Sequence, residues 1–160
     1  MRTSTKTETP ARPESPDQGP THPYRVERMP LEIIEESNRA TKEMLGFPLS
    51  SYLKLRVHEA TRVYFRGHEY SPSICNMTKV IDYKQFPWVK EPRIKRVHSV
   101  IHYPEKEWER FVHNCRVQKT NMSAELIKFM LELCSQYHIW KEVKNKDAGR
   151  TTTSNGKAGS

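Results

Sequence analysis

Residues 93–137, R-I-K-R-V-H-S-V-I-H-Y-P-E-K-E-W-E-R-F-V-H-N-C-R-V-Q-K-T-N-M-S-A-E-L-I-K-F-M-L-E-L-C-S-Q-Y, contain three pieces in a fixed order. Residues 97–103 are short and β-rich. A strand there puts Val97, Ile101 and Tyr103 on one face and Arg96, His98, Val100 and His102 on the other. Pro104 closes the strand and opens a helix, where its missing N–H costs nothing and its φ is already helical. Glu105 and Glu107 stand in the first turn, where the helix dipole favours acids, and Trp108, Phe111, Val112 and Cys115 recur at helical spacing. The polar Gln118-Lys119-Thr120 ends that pattern. Asn121 or Ser123 can cap a second helix, whose face carries Met122, Leu126, Ile127, Met130, Leu133, Cys134 and Tyr137.

One strand and two helices in about 45 residues bury too little surface to stand alone, and a lone strand is an open edge. The unit needs a second copy of itself, and residues 24–66 supply a candidate. A short run at 24–29 precedes Pro30, Glu32 sits in the first turn, and Ile33, Ile34, Met44 and Leu45 recur on a helical face. Gly46 is a natural C-cap with Phe47-Pro48 just beyond, and Leu49, Leu53, Val57, Ala60 and Tyr64 line a second helix. Pro30 to Leu53 spans 23 residues and Pro104 to Leu126 spans 22, while Ile34 and Trp108 both lie four after their prolines. One extra residue in the first turn reconciles the copies. Glu27 is the misfit: counted from Pro30 it falls on the core-facing parity, so this strand is either short and irregular or shifted in register. A plain helical hairpin packed on the later unit is the other reading of 24–66.

The order strand, Pro-opened helix, polar turn, capped helix, carried by V-H-S-V-I-H-Y-P-E-K-E-W-E-R-F and T-N-M-S-A-E-L-I, resembles the ribbon-helix-helix family of Arc- and MetJ-like proteins. The resemblance implies two intertwined units whose strands pair into an antiparallel ribbon that inserts into the DNA major groove. With both units in one chain, the architecture is similar to TraY-type conjugation accessory proteins and to the accessory protein that acts at T-DNA borders. That likeness implies work beside a relaxase or another DNA-processing protein. The expected fold class is mostly α with a two-stranded antiparallel β-ribbon, as a tandem pseudo-dimer. Its units are residues 24–66 and 93–144, its linker 67–92, and its disordered tails the Thr-, Ser- and Pro-rich 1–23 and the polar 145–160. In the linker, Ser71-Pro72-Ser73, Phe86-Pro87 and Glu91-Pro92 mark irregular chain, 78–83 suits a short strand or helical turn, and Phe86 and Trp88 are expected to anchor it on the core.

Arg96, His98, Val100 and His102 are the expected base readers, joined by Arg25 and Arg28 of the earlier unit, which lie on opposite parities so that at most one faces the groove cleanly. Arginine suits guanine, a histidine can donate to N7 or O6, and Val100 can only touch a thymine methyl. The N-termini of the second helices are anion sites, so Thr120, Asn121 and Ser123, and Ser50 and Ser51, are candidates to hold phosphates; helix capping alone is the competing role. Lys90, Arg93 and Lys95 add attraction that fades with salt. Ordinary solvated charge on an exposed strand is the bland alternative for all of these.

The net charge of +8 over 160 residues suits nucleic acid or an acidic surface, and charge alone does not set a fold. No run approaches 18 apolar residues, so no membrane partner is expected, and residues 1–23 lack the apolar core of a secretory signal. Cys75, Cys115 and Cys134 are odd in number without C-x-x-C spacing, which reads as reduced core residues in a cytosol-like compartment. On a strand His98 and His102 lie about 13 Å apart, too far for one metal ion. No P-loop, G-x-S-x-G, H-E-x-x-H or Rossmann fingerprint is present, so no enzyme and no cofactor are expected. The expectation is a cytoplasmic double-stranded-DNA-binding protein, a monomeric pseudo-dimer or a higher oligomer on DNA. It serves plasmid or T-DNA transfer or partition, or represses transcription. The alternative is a protein–protein adaptor, including an antitoxin-type toxin binder, which Trp88, Tyr137 and Trp140 exposed together would favour.

Overall fold

β1 (Thr21–Tyr24) and β2 (Ile101–Pro104) pair antiparallel, His22 opposite Tyr103 and Tyr24 opposite Ile101, in a computed structural model that describes residues 19–66, 81–90 and 99–158. The Glu105 N–H donates to the Pro20 carbonyl at 3.0 Å, which extends the ladder one step and fixes its phase. His22–Tyr103 and Tyr24–Ile101 are then the hydrogen-bonded pairs. Pro23 and Pro104 occupy the alternate positions, where an N–H would point away from the partner strand. Two prolines fit this ribbon for that reason.

The sequence puts the first strand at residues 24–29 and a disordered tail before it. The strand instead lies at Thr21–Tyr24, so residues 19–23 belong to the fold. Val26 and Met29 explain the shift. Both are buried, and their spacing of three cannot be met by a strand that alternates every two residues. The chain therefore leaves the ladder after Tyr24, and Glu27 turns to solvent 3.8 Å from Arg25.

Pro30 and Pro104 each stand just before a helix, α1 (Leu31–Ala40) and α3 (Glu105–Val117), with Glu32 in the first turn of one and Glu105 and Glu107 in that of the other. α1 continues as a π-helical turn, Thr41–Leu45, ending at Gly46 with φ 79°. Beyond α3, Lys119 takes the same left-handed conformation at φ 61°. Gly46 comes 16 residues after Pro30 and Lys119 15 after Pro104, and a π turn holds one residue more than an α turn. Counted from the two prolines, the extra residue expected in the first turn thus sits at the end of α1. Gly46→Ala is expected to lower stability by about 1 kcal/mol, read from the urea midpoint, because only glycine takes this φ without strain.

α2 (Leu49–Ala60) and α4 (Met122–Ala158) complete the fold. α1 packs on α4 and α2 on α3, while α4 also touches α2 and α3. Ile33, Leu53, Val57, Phe111, Leu126, Ile127, Met130, Leu133 and Tyr137 form the core between them. Cys115 and Cys134 are buried in it. Burial pushes the Cys115 thiol up to about 12 and the Cys134 thiol up to about 11, so both are inert packing residues at neutral pH. Between the halves, Tyr83–Gln85 forms a 3-10 turn whose entry Asp82 caps by accepting the Lys84 N–H at 3.0 Å. Ile81, Tyr83 and Val89 are buried and Phe86 and Trp88 half-buried against the core, the anchoring that the sequence suggests.

The polar tail expected from residue 145 is helical as far as Ala158, within α4. Residues 141–149 are all exposed, so propagation from the packed turns, rather than burial, carries the helix through them. Threonine and glycine in that segment oppose it by only fractions of a kcal/mol to about 1 kcal/mol each, which is why composition misleads. No described helix is long and apolar enough to cross a membrane.

Candidate nucleic-acid interface

Alternation along β2 turns Ile101 and Tyr103 onto the helices and His102 and Pro104 to solvent. Beneath the ribbon, the Trp108 ring meets Tyr103 at 4.6 Å, Tyr24 at 4.7 Å and His22 at 5.5 Å, so one side chain of α3 supports both strands. The Tyr24 hydroxyl lies 2.5 Å from Ser123 Oγ and ties β1 to the start of α4. The opposite face is open. β1 contributes Thr21 and Pro23, β2 contributes His102 and Pro104, and Val100 continues the same parity with 41% exposure.

Of the expected base readers, His102 and Val100 stand on this outer face. Arg25, exposed, continues its parity just past β1, and Arg28 is exposed where the chain has already left the ladder. Arg93, Lys95, Arg96 and His98 lie outside the described residues. The sequence does not single out Thr21 and Pro23, because the surrounding prolines read as tail. The usable signal was local: His22 and Tyr24 alternate as aromatic residues against Thr21 and Pro23.

The two expected phosphate seats differ. At α4, Asn121 Oδ1 accepts the Ala124 N–H at 2.8 Å, the Thr120 hydroxyl donates to Glu125 Oε2 at 2.9 Å, and Ser123 is held by Tyr24. All three side chains are engaged, Asn121 as the cap of α4, and Glu125 places a carboxylate in the first turn. At α2, Pro48 offers no side-chain cap and the first turn holds no acid; Ser50 is half-buried and Ser51 exposed. That end is the open one. Lys90 is exposed, with its backbone N–H on Glu32 Oε2 at 3.3 Å.

Elsewhere the charged groups fasten helix to helix. His58 Nδ1 meets Glu107 at 2.8 Å between α2 and α3, and His138 Nε2 meets Glu36 at 2.6 Å between α4 and α1. Burial, with Lys141 alongside, holds the His138 imidazole below its ordinary value. Among the described residues no group of three His, Cys, Asp or Glu can hold a metal ion. Tyr137 is buried, Trp140 stacks on it at 6.0 Å, and Trp88 packs edge-on against His138 at 5.6 Å, so these aromatics are packed and do not form one exposed patch. No protein-family model, curated protein or solved structure matches this chain.

Proposed function

We propose that this chain is a tandem ribbon-helix-helix protein that binds double-stranded DNA by laying the outer face of its ribbon in the major groove. The observation that carries the reading is the exchange between halves: β1 pairs with β2, α1 packs on α4, and α2 packs on α3. Two copies of one unit account for this, and the register agrees. Leu53 and Leu126, both fully buried, each come seven residues after a left-handed residue, Gly46 in one half and Lys119 in the other. A two-stranded ribbon fits the major groove, and Thr21, His102 and Arg25 present donors for base edges or phosphates. The uncapped start of α2 suits a flanking phosphate, and Lys90 adds attraction at longer range. The role follows the family likeness: a cytoplasmic accessory factor beside a relaxase in plasmid or T-DNA transfer or partition, or a repressor.

Fluorescence anisotropy with duplex DNA at two salt concentrations tests this. If Arg25, Arg28 and Lys90 each neutralise one phosphate, affinity should fall roughly fortyfold between 50 and 200 mM salt. No binding to duplex at the lower salt would discard the DNA reading in favour of the protein–protein adaptor. That rival rests on Ile139 and Val143, exposed four residues apart on α4.

A further inference from the structure

The outer face of the ribbon is more apolar than a solvated strand requires. Pro23 lies opposite His102, with Pro104 two residues further along β2 and Val100, just before β2, on the same parity to the other side. Pro104, Pro23 and Val100, all three exposed, therefore form an apolar band around three sides of His102, with Thr21 next to Pro23 on its own strand and opposite Pro104. Exposed two-stranded edges are ordinarily blunted with charge, and charge here stands at the margins of the band and not within it. Arg25, Arg28 and Lys90 are all exposed, and the chain carries a net charge of +8, which suits a polyanion and opposes an apolar or basic protein groove. The Arg25–Glu27 contact at 3.8 Å is a surface pair that a phosphate can replace at little cost.

Within the major groove of B-DNA, the one apolar group on a base edge is the thymine C5-methyl. Resting on the DNA-binding reading above, we infer that the ribbon selects A·T base pairs through thymine methyl groups contacted by Pro23 and Val100, with Thr21 and His102 making the polar contacts to adjoining base edges. The chemistry recognised is thus a methyl-bearing groove floor, and guanine-rich duplex is disfavoured because it offers no methyl group to Pro23 and Val100.

The test uses the full chain and two duplexes of one alternating A·T sequence, made with thymine or with uracil, which keeps every groove hydrogen-bonding group and lacks the methyl. Two methyl groups removed from water predict roughly tenfold tighter binding to the thymine duplex. In Val100→Ser, an exposed substitution that leaves the core untouched, the ratio should shrink to about threefold, one methyl contact remaining. Equal binding of the two duplexes by the unaltered protein overturns the methyl inference while the DNA reading stands. A ratio unchanged by both Val100→Ser and Pro23→Ser also overturns it, by assigning the sensitivity to groove shape. Failure to bind either duplex at low salt removes the DNA reading itself.

Discussion

Trp108→Ala is expected to lower the stability of the fold by about 4 kcal/mol and to release the ribbon from the helices beneath it. The ring is 4% exposed and meets Tyr103, Tyr24 and His22 of the two strands, as well as Phe111 of its own helix at 5.4 Å. Truncation removes the largest buried side chain at this junction and leaves a hole that the surrounding rings close only in part. It also breaks four aromatic contacts, each worth about 0.5–1.5 kcal/mol beyond area burial. β1 has four residues, and a two-stranded ribbon has marginal stability in water without something to lie on. Urea unfolding followed by circular dichroism gives the loss. Amide exchange at Tyr24 and Tyr103 should accelerate well beyond that of core amides in α1 and α4, which pack on each other away from Trp108. Trp108→Phe, which keeps a ring in the site, should recover more than half of the deficit. If the alanine variant loses under 1 kcal/mol, or the ribbon amides accelerate no more than the rest, Trp108 does not hold ribbon to helices.

What the sequence discloses here, and what it hides, divides along the range of the signal. The junction at Pro104 and the inward set Ile101, Tyr103, Trp108, Phe111 and Cys115 were legible, because periods of 2 and 3.6 are written into neighbouring residues. Gly46 was legible for the same reason: a glycine closing an apolar helical pattern has one common use. β1 was not. Its alternation lasts four residues and lies inside a proline-rich run, so composition outweighed pattern, and its pairing partner is some 80 residues away. The surplus residue of the earlier half was countable from the two prolines, yet a count gives no location, and the π turn that absorbs it leaves no mark in residue type. On the outer face, the parity of Val100 and His102 was readable, whereas the place of Pro23 opposite His102 exists only once the register is known.

Asn114→Leu should cost about 3 kcal/mol, although leucine has the same branched heavy-atom skeleton as asparagine and the site is apolar on either side. Asn114 is 3% exposed on the same face of α3 as Phe111 and Cys115, and its polarity there was the one sequence clue that it does something other than pack. Its Oδ1 accepts the Phe65 N–H at 3.1 Å, and its Nδ2 donates to the Val63 carbonyl at 2.8 Å and the Ala60 carbonyl at 3.2 Å. One amide thus holds the chain where it leaves α2, and with it the Tyr64 ring stacked on His113 at 4.7 Å. Leucine fills the space and leaves one N–H and two carbonyls without that partner. Each buried orphan costs about 1–3 kcal/mol, and the lower end applies because Val63 and Tyr64 are exposed enough for water to reach part of the turn. Asn114→Asp separates polarity from donor chemistry. The carboxylate still accepts from Phe65 but turns a negative charge on two carbonyl oxygens, so its carboxyl is held above the usual range in the folded state. Its neutral form favours folding, and that stability is present in acid and lost as pH rises through the carboxylate range. Urea midpoints at pH 4 and pH 7 should therefore converge on the parent protein at the lower value for aspartate and remain apart for leucine. Leucine within 1 kcal/mol of the parent, or an aspartate deficit that ignores pH, would mean that the Asn114 amide does not hold the end of α2 on α3.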